Sequence, residues 1–324
     1  MNQNQNQINQ SSIAILITAF KEPSIEHLLD TILNPDFNNW EPNWQLWVSA
    51  PDQLTRQLSI DTANKWQVPI SILADKGIGK PSALNLALET INCDWLICTD
   101  GDVFLKPNSI SFLVQKITNN LDFENSIENK FGAKYGAKFG AISGRPVSND
   151  SKDNFFGYIG HLLADAAHYK RFLSSEVAKS YFVSGYLVAY NKPKLQPLDP
   201  KTLVDDAQFS MQLINQNLSI GYEPKAQVMI KYPTNYTDWI TQKRRSAGGY
   251  NELKNIKNQT GQLEIRSFWS EVKFVFFPIK YASNPKELVF SLILYPLRLW
   301  LWLLIFWDKK TQKTNLWVRV ESTK

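Results

Sequence analysis

Between Ile13 and Asp102 the chain passes four times from a short apolar run into a helix-like or glycine-marked stretch, and this alternation restricts the fold more than any other feature. The runs Ile13–Phe20, Gln45–Ser49, Pro69–Ala74 and Trp95–Thr99 have strand length, and the first is apolar almost throughout, as in strands covered on both faces. Ile25–Leu33, Leu54–Trp66 and Pro81–Thr90 carry helical patterns between them. Strand-then-helix units in series predict an α/β sheet whose ligands sit outside the carboxyl ends of the strands. Asp52, Asp75, Asp100 and Asp102 all fall at such ends.

The pattern lapses over residues 119–154, where Phe131-Gly-Ala-Lys, Tyr135-Gly-Ala-Lys and Phe139-Gly-Ala repeat every four residues. Four residues are too few for a solenoid unit, so a glycine-punctuated loop leading into a strand near Ala141–Val147 is expected. A helix over Gly160–Leu173, a buried strand over Tyr181–Tyr190 and a helix over Leu203–Asn217 should follow. Asp205 and Asp206 open the last of these, where carboxylates suit a helix N-terminus. Ile240–Tyr250 carries Lys243-Arg244-Arg245 and then Gly248-Gly249. Eight of the first ten residues are Asn or Gln, and residues 1–12 are expected to form a disordered tail.

With 324 residues, 44% of them hydrophobic, the chain can bury a large core, which excludes global disorder and collagen-like structure. The net charge of +5 is confined to one end: residues 268–324 hold nine Lys and Arg against four Asp and Glu, and the remainder is balanced. Five of the eleven Trp (Trp269, Trp300, Trp302, Trp307 and Trp317) share that end. A basic, Trp-rich, apolar terminus points to a membrane surface, whereas a nucleic-acid binder should spread its basic residues over a folded face. Cys93 and Cys98 lie in an apolar stretch at no metal-ligand spacing, and are expected to be reduced core residues of a cytosolic domain.

Within Leu288–Trp307 only Ser291, Pro296 and Arg298 are neither apolar nor aromatic. As a helix this stretch would measure about 30 Å, the thickness of the hydrocarbon core. Its Leu, Ile, Val and Phe residues favour insertion by about 4–8 kcal/mol, against a cost of about 2.5–3.5 kcal/mol for Arg298. Lys273, Lys280 and Lys286 precede it, and Lys309, Lys310, Lys313 and Arg319 follow. Basic flanks on both sides disfavour export of either end. A kink or re-entrant hairpin at Pro296, with both ends in the cytosol, is therefore expected over a single span. Phe268–Ala282 should form an interfacial helix with Phe268, Val272, Val275, Phe276 and Ile279 on one face.

Asp100-Gly101-Asp102 is the strongest local signal for chemistry. Two carboxylates one small residue apart can share a hard divalent cation, and the glycine admits a phosphate close to the backbone. Around it stand, in order, Ala19-Phe20-Lys21-Glu22 after the first strand, Gly79-Lys80 followed by Ala83-Leu84-Asn85, Ser184-Gly185, Asp205-Asp206, and Gln242 with Arg245. This series resembles the inverting nucleotide-sugar glycosyltransferases of family 2, across residues 13–250.

The resemblance implies a GT-A fold, a Rossmann-like mixed sheet flanked by helices. It divides the chain into a catalytic domain over 13–260 and a membrane-associated region over 261–324. Asp100 and Asp102 match the D-x-D pair, with Asp102 the more direct ligand of a Mg²⁺ or Mn²⁺ that bridges the donor diphosphate. Ala19, Glu22 and Asp75 are implied to line the nucleotide pocket, with Asp52 at the end of strand two a further candidate. Lys80 stands where the family's basic residue approaches the diphosphate. Asp206 matches the general base that takes the proton of the acceptor hydroxyl.

Gln242 and Arg245 match the start of Q-x-x-R-W, but Ser246 replaces the Trp, which favours single addition over processive synthesis. The implied reaction moves a sugar, from UDP in the first instance, to a hydroxyl of a lipid-linked or cell-envelope glycan acceptor. Two alternatives stay open: a sugar-phosphate nucleotidyltransferase, and an inactive membrane-bound relative. His161, His168 and Asp165 on one helix, and Trp40, Trp44 and Trp47 around strand two, are expected to serve packing before ligand contact.

Overall fold

A computed structural model describes residues 12–127, 138–176, 181–253 and 272–310, apart from residues 39, 40, 42 and 273. The Asn/Gln-rich start, the glycine echo over 131–137, Trp40 and the basic residues Lys313 and Arg319 lie outside the described residues.

The four apolar runs are strands: β1 (Ile13–Thr18), β2 (Gln45–Ser49), β3 (Ile70–Leu73) and β4 (Trp95–Asp100). Their crossovers are α1 (Ile25–Leu33), α2 (Gln53–Lys65) and α3 (Lys80–Thr90). After β4 come β5 (Phe104–Leu105), α4 (Ser109–Ile127), β6 (Phe139–Ser148), α5 (Phe155–Glu176), β7 (Leu187–Asn191), α6 (Asp205–Asn215), β8 (Ser219–Ile230) and α7 (Tyr236–Leu253). The chain then forms α8 (Phe277–Tyr281) and α9 (Pro285–Lys310).

The eight strands make one sheet in the order β3-β2-β1-β4-β7-β6-β8-β5. It is parallel from β3 to β4 and mixed beyond, because β7 runs antiparallel to β4 and β6. Register brings Thr18 level with both Ser49 and Asp100, and Ser49 level with Leu73, so the carboxyl ends of β1 to β4 form one edge. The start of β7 arrives at the same edge, with Leu187 opposite Thr99.

Alternation sends Ile13, Ile15 and Ile17 into the core beneath α1, α2 and α4, and Ala14 and Leu16 into the core beneath α3 and α6. Each fully buried Ile or Leu contributes about 1.5–3 kcal/mol by leaving water. The apolar composition of β1 thus fixes it as a strand covered on both faces, as is β4 beside it. Cys93 and Cys98 are buried free thiols.

Three expectations are corrected. Tyr181–Tyr190 is a strand only from Leu187; the amides of Val183, Ser184 and Gly185 donate to Ser210 Oγ, Ser143 Oγ and Asp206 Oδ2 instead of to a neighbouring strand. Of Phe268–Ala282, residues 268–271 and 273 lie outside the described residues and the remainder is not one helix, since Phe274–Phe276 is a turn and α8 begins after it, with Pro278, lacking an amide N–H, in its first turn. No hairpin forms at Pro296, which lies inside the continuous helix α9. Proline removes one i→i−4 hydrogen bond there, and packing of the opposite face on α5 and α7 offsets the loss.

Candidate active site

Along the carboxyl edge of β1 to β4 lies a cavity of about 930 Å³. It is lined by Ala19, Glu22, Asp75, Lys80, Asp100, Asp102, Asp206, Gln242 and Arg245, among others. Of the residues that the sequence singled out for donor, metal and base, only Asp52 is missing from this lining. Asp52 caps α2: Oδ1 accepts from Thr55 N at 2.9 Å and from Thr55 Oγ1 at 2.8 Å, and Oδ2 accepts from Lys21 N at 2.8 Å. Partial burial pushes its carboxyl up, but these amides outweigh that and hold it below the usual carboxylate range.

The D-x-D turn is built by a close approach of β1 and β4. Gly101 N donates to Thr18 O at 2.9 Å, and a Cβ at Gly101 would stand 2.6 Å from Ala19 Cβ. Only glycine fits there. Thr18 Oγ1 and Lys80 Nζ both reach Asp100 Oδ1, at 3.1 and 2.6 Å. At Asp102 Lys80 is only a weak opposing charge. Burial, then the carboxylates of Asp100 and Glu22, push it up to about 6.

Among the described residues no set of three or more His, Cys, Asp or Glu side chains is arranged to hold a metal ion. Asp100 and Asp102 nevertheless fit a Mg²⁺-like cation, which uses one or two protein carboxylates and takes its other ligands from phosphate and water. The repulsion concentrated on Asp102 is what such a cation would relieve.

Gly77 and Gly79 shape the next part of the rim, with φ of +66° and +118°, values that a side chain would strain. Asp75 fixes this turn by accepting from Gly77 N at 2.7 Å and from Ser49 Oγ at 2.9 Å. The N-terminus of α3 then faces the cavity through Gly79, Lys80, Pro81 and Ala83, and its dipole favours anions. Lys80 Nζ also lies 3.6 Å from Asp205 Oδ2. Burial would lower this ammonium's pKa, but Asp100, Asp205 and Asp206 together raise it well above its ordinary value. One lysine thus joins the D-x-D turn to the acidic pair on α6.

Neither member of that pair occupies the N-cap position, which is Val204 and makes no side-chain bond. Asp206 accepts from Gly185 N at 3.2 Å through Oδ2 and from Ala207 N at 2.8 Å through Oδ1. Burial, then the neighbouring Asp205, push its carboxyl up to about 6, with Lys80 and the two amides opposing. Such a carboxyl is poised to exchange a proton near neutrality.

From the far wall, α7 contributes Gln242, Lys243, Arg245 and Ser246. Tyr186, Tyr232 and Arg171 also line the cavity, and no spacing in the sequence pointed to them. Lys243 Nζ stands 5.8 Å from the Tyr232 ring centre. Burial, then Asp100 and Asp102, raise the Tyr186 phenol to about 12, with Arg245 opposing. Of the residues expected to serve packing, Trp40 lies outside the described residues and the others have partners within the fold. His161 meets Asp150 O at 2.6 Å, His168 meets Tyr222 Oη at 2.8 Å, and Asp165 accepts from Arg145 and Tyr281. Trp44 is buried and Trp47 packs against the core.

This sheet, with its acidic carboxyl edge, is the architecture of GT-A glycosyltransferases. The structure is similar to that of the mannosyltransferase PcManGT from Pyrobaculum calidifontis in complex with GDP-Man and Mn²⁺, at a TM-score of 0.52 and 14% identity, covering 88% of this chain and 74% of that one. S. aureus TarS 1-349 in complex with UDP-GlcNAc matches at a TM-score of 0.47 and 12% identity, over 74% of this chain and 66% of that one. Among curated proteins none matches by sequence. Residues 143–308, half of the chain, match the model of glycosyl transferase family group 2, and the chain belongs to that family. It is therefore a glycosyltransferase by family, and a nucleotidyltransferase reading falls away.

Proposed function

We propose that the protein transfers a single sugar from a nucleoside diphosphate donor, a UDP-sugar in the first instance, to a hydroxyl of a membrane-proximal acceptor, with inversion at the anomeric carbon. The observation that carries this reading is the convergence of the D-x-D turn and Asp206 on one cavity, joined through Lys80. Asp75, Glu22 and Ala19 would receive the nucleoside, and the α3 N-terminus and Arg245 would face the diphosphate. Asp102, with Asp100, would hold a divalent cation, and PcManGT, which shares the fold, was solved with Mn²⁺. When bound, that cation stabilises negative charge on the departing nucleoside diphosphate. Asp206 takes the proton of the acceptor hydroxyl as it attacks from the face opposite the leaving group. The amides of Gly185 and Ala207 hold its carboxylate in place. Ser246, at the cavity wall where processive relatives carry Trp, leaves the acceptor side less enclosed and suits single addition.

The apolar α9 would keep the protein at a membrane, with the catalytic domain in the cytoplasm and a lipid-linked or cell-envelope glycan as acceptor. Among the described residues α9 is the one helix long and apolar enough to cross a membrane. Incubating the purified protein with a panel of nucleotide sugars, Mn²⁺ or Mg²⁺ and membrane extract, and measuring nucleoside diphosphate release, tests the activity. Release that is lost in Asp102→Asn and Asp206→Asn supports it. No release from any donor, or variants that match the parent, would refute it.

A further inference from the structure

Helix α9 has two faces with opposite fates. Ser291, Leu294, Leu301, Ile305 and Asp308 recur at intervals of three, seven, four and three residues, and all are buried. Their ridge packs against Tyr158, Ile159 and Leu162 of α5 and Trp239 and Ile240 of α7. Both ends are fastened by polar bonds. Tyr158 Oη donates to Ser291 Oγ at 2.8 Å, and that hydroxyl donates to Pro278 O at 2.7 Å. Arg244 of α7 grips Asp308 with two nitrogens, Nε donating to Oδ2 at 2.6 Å. By the helical period Arg298 belongs to this inward ridge as well.

The opposite face is exposed and apolar, with Leu292, Leu299, Trp300, Leu303, Phe306 and Trp307 each half or more in the open. It adjoins the turn Phe274–Phe276, whose residues are also exposed, and α8, whose Phe277 packs at 6.1 Å from the ring of Tyr169.

We infer that this outward face rests in the surface of one lipid leaflet, with α9 lying parallel to the membrane plane instead of crossing it. The inference builds on the proposed membrane contact and specifies its geometry. From Ser291 to Asp308 the helix runs about 26 Å, most of a hydrocarbon core. Over that whole length one side is occupied by the catalytic domain. Crossing would carry α5, α7 and the Arg244–Asp308 pair into the hydrocarbon, or strip the buried ridge from its partners. A parallel helix keeps every inward bond and sinks only its outward face, by about 5–10 Å.

The charge and the aromatic residues select lipid over a second copy of the chain. Lys280 and Lys286 precede the face and Lys309 and Lys310 follow it, so two copies would bring like charges together, whereas acidic headgroups would complement them. Trp300 and Trp307 suit the headgroup boundary. Helix α7 then links the leaflet to the cavity, because Arg244 holds α9 while Gln242 and Arg245 line the site. The partner is thus an anionic lipid surface beside the acceptor side of the cavity.

The test uses the full chain and vesicles of phosphatidylcholine and phosphatidylglycerol at about three to one. Flotation first reports binding, which should weaken at least tenfold in the double variant Leu299→Glu/Leu303→Glu. Environment-sensitive labels on single cysteines at Leu292, Leu299 and Phe306, all already exposed, then report depth through lipids brominated at different chain positions. Equal, shallow quenching at all three supports the parallel arrangement. Flotation with Leu299 much deeper than the other two overturns it and establishes a span, while leaving membrane contact intact. Flotation with all three labels shielded from lipid overturns it in favour of a self-associated face. Failure to float refutes the membrane contact itself, and nucleotide-sugar turnover measured without vesicles shows whether the proposed chemistry stands separately.

Discussion

Asp206, the proposed base, is a residue whose burial is costly to the fold. Its carboxyl is raised to about 6 by burial beside Asp205, so the folded, ligand-free protein binds a proton there more tightly than the unfolded chain does. The stability that this preference supplies is complete below the unfolded value of 3.8 and is lost as pH rises through about 6. At pH 7.5 Asp206→Asn should therefore be more stable than the parent, by about 1 kcal/mol once the loss of one side-chain oxygen that accepts from a backbone amide is counted. The gain should shrink as pH falls from 6 to 4 in urea titrations. The same variant should lose about 10²–10⁴ in kcat. In the parent, kcat/KM should fall about tenfold per pH unit below about 6. Lys80 opposes the rise in Asp206, so Lys80→Met should move that acid limb upward, read from the pH profile of kcat/KM. An unmoved limb would mean that the lysine does not set the base. At Gly101 a methyl group would meet Ala19 at 2.6 Å, and Gly101→Ala should cost about 1–3 kcal/mol and weaken Mn²⁺-dependent donor binding in calorimetry.

At the scale of elements, the parts that could be read in the sequence are those whose cause is local. The apolar runs that became β1, β2, β3 and β4 carry their burial in their own composition, and the D-x-D turn follows β4 directly. Val183–Gly185 misled because its residues donate their amides to side chains far along the chain, on β6 and α6, which no window of sequence contains. Tyr186 was missed because β7 runs antiparallel to β4, which brings Leu187, and Tyr186 before it, beside the carboxylates; Arg171 reaches the cavity from α5, another non-local placement. Asp52 misled in the other direction, since a carboxylate at a strand end is equally suited to capping the helix that follows.

The junction of α6 and α7 is also non-local. Gly249 lets α7 approach so closely that a Cβ would stand 2.5 Å from Val204 Cγ1, next to Asp205 and Asp206. Gly249→Val should therefore disturb both the base and Arg245. A fall in kcat together with a rise in donor KM is expected, with little change in circular dichroism. An effect confined to stability would detach this contact from the site.

For the whole molecule, the family resemblance divided a catalytic domain over 13–260 from a membrane-associated region over 261–324, and packing ties the two together. Helix α9 supplies Leu294, Leu301 and Ile305 to a core that contains Trp239 and Tyr158, both almost wholly buried. Those three residues account for roughly 5 kcal/mol of apolar burial, comparable to the net stability of many domains. The helix is therefore part of the fold on one side and, on the other, presents the face proposed to meet the membrane. Deleting residues 285–324 should expose Trp239 and leave a protein that unfolds at lower urea or aggregates, with nucleoside diphosphate release lost. Severing only the polar clamp, with Arg244→Ala, leaves Asp308 buried without its main partner and should cost about 1–3 kcal/mol. Restoring an apolar contact with Arg244→Met/Asp308→Leu should recover most of that loss if the clamp only fastens the helix. A fully soluble, fully active truncated protein would show that α9 is a detachable anchor. A truncated protein that loses both stability and turnover would show that membrane-facing helix and active site are one folded unit.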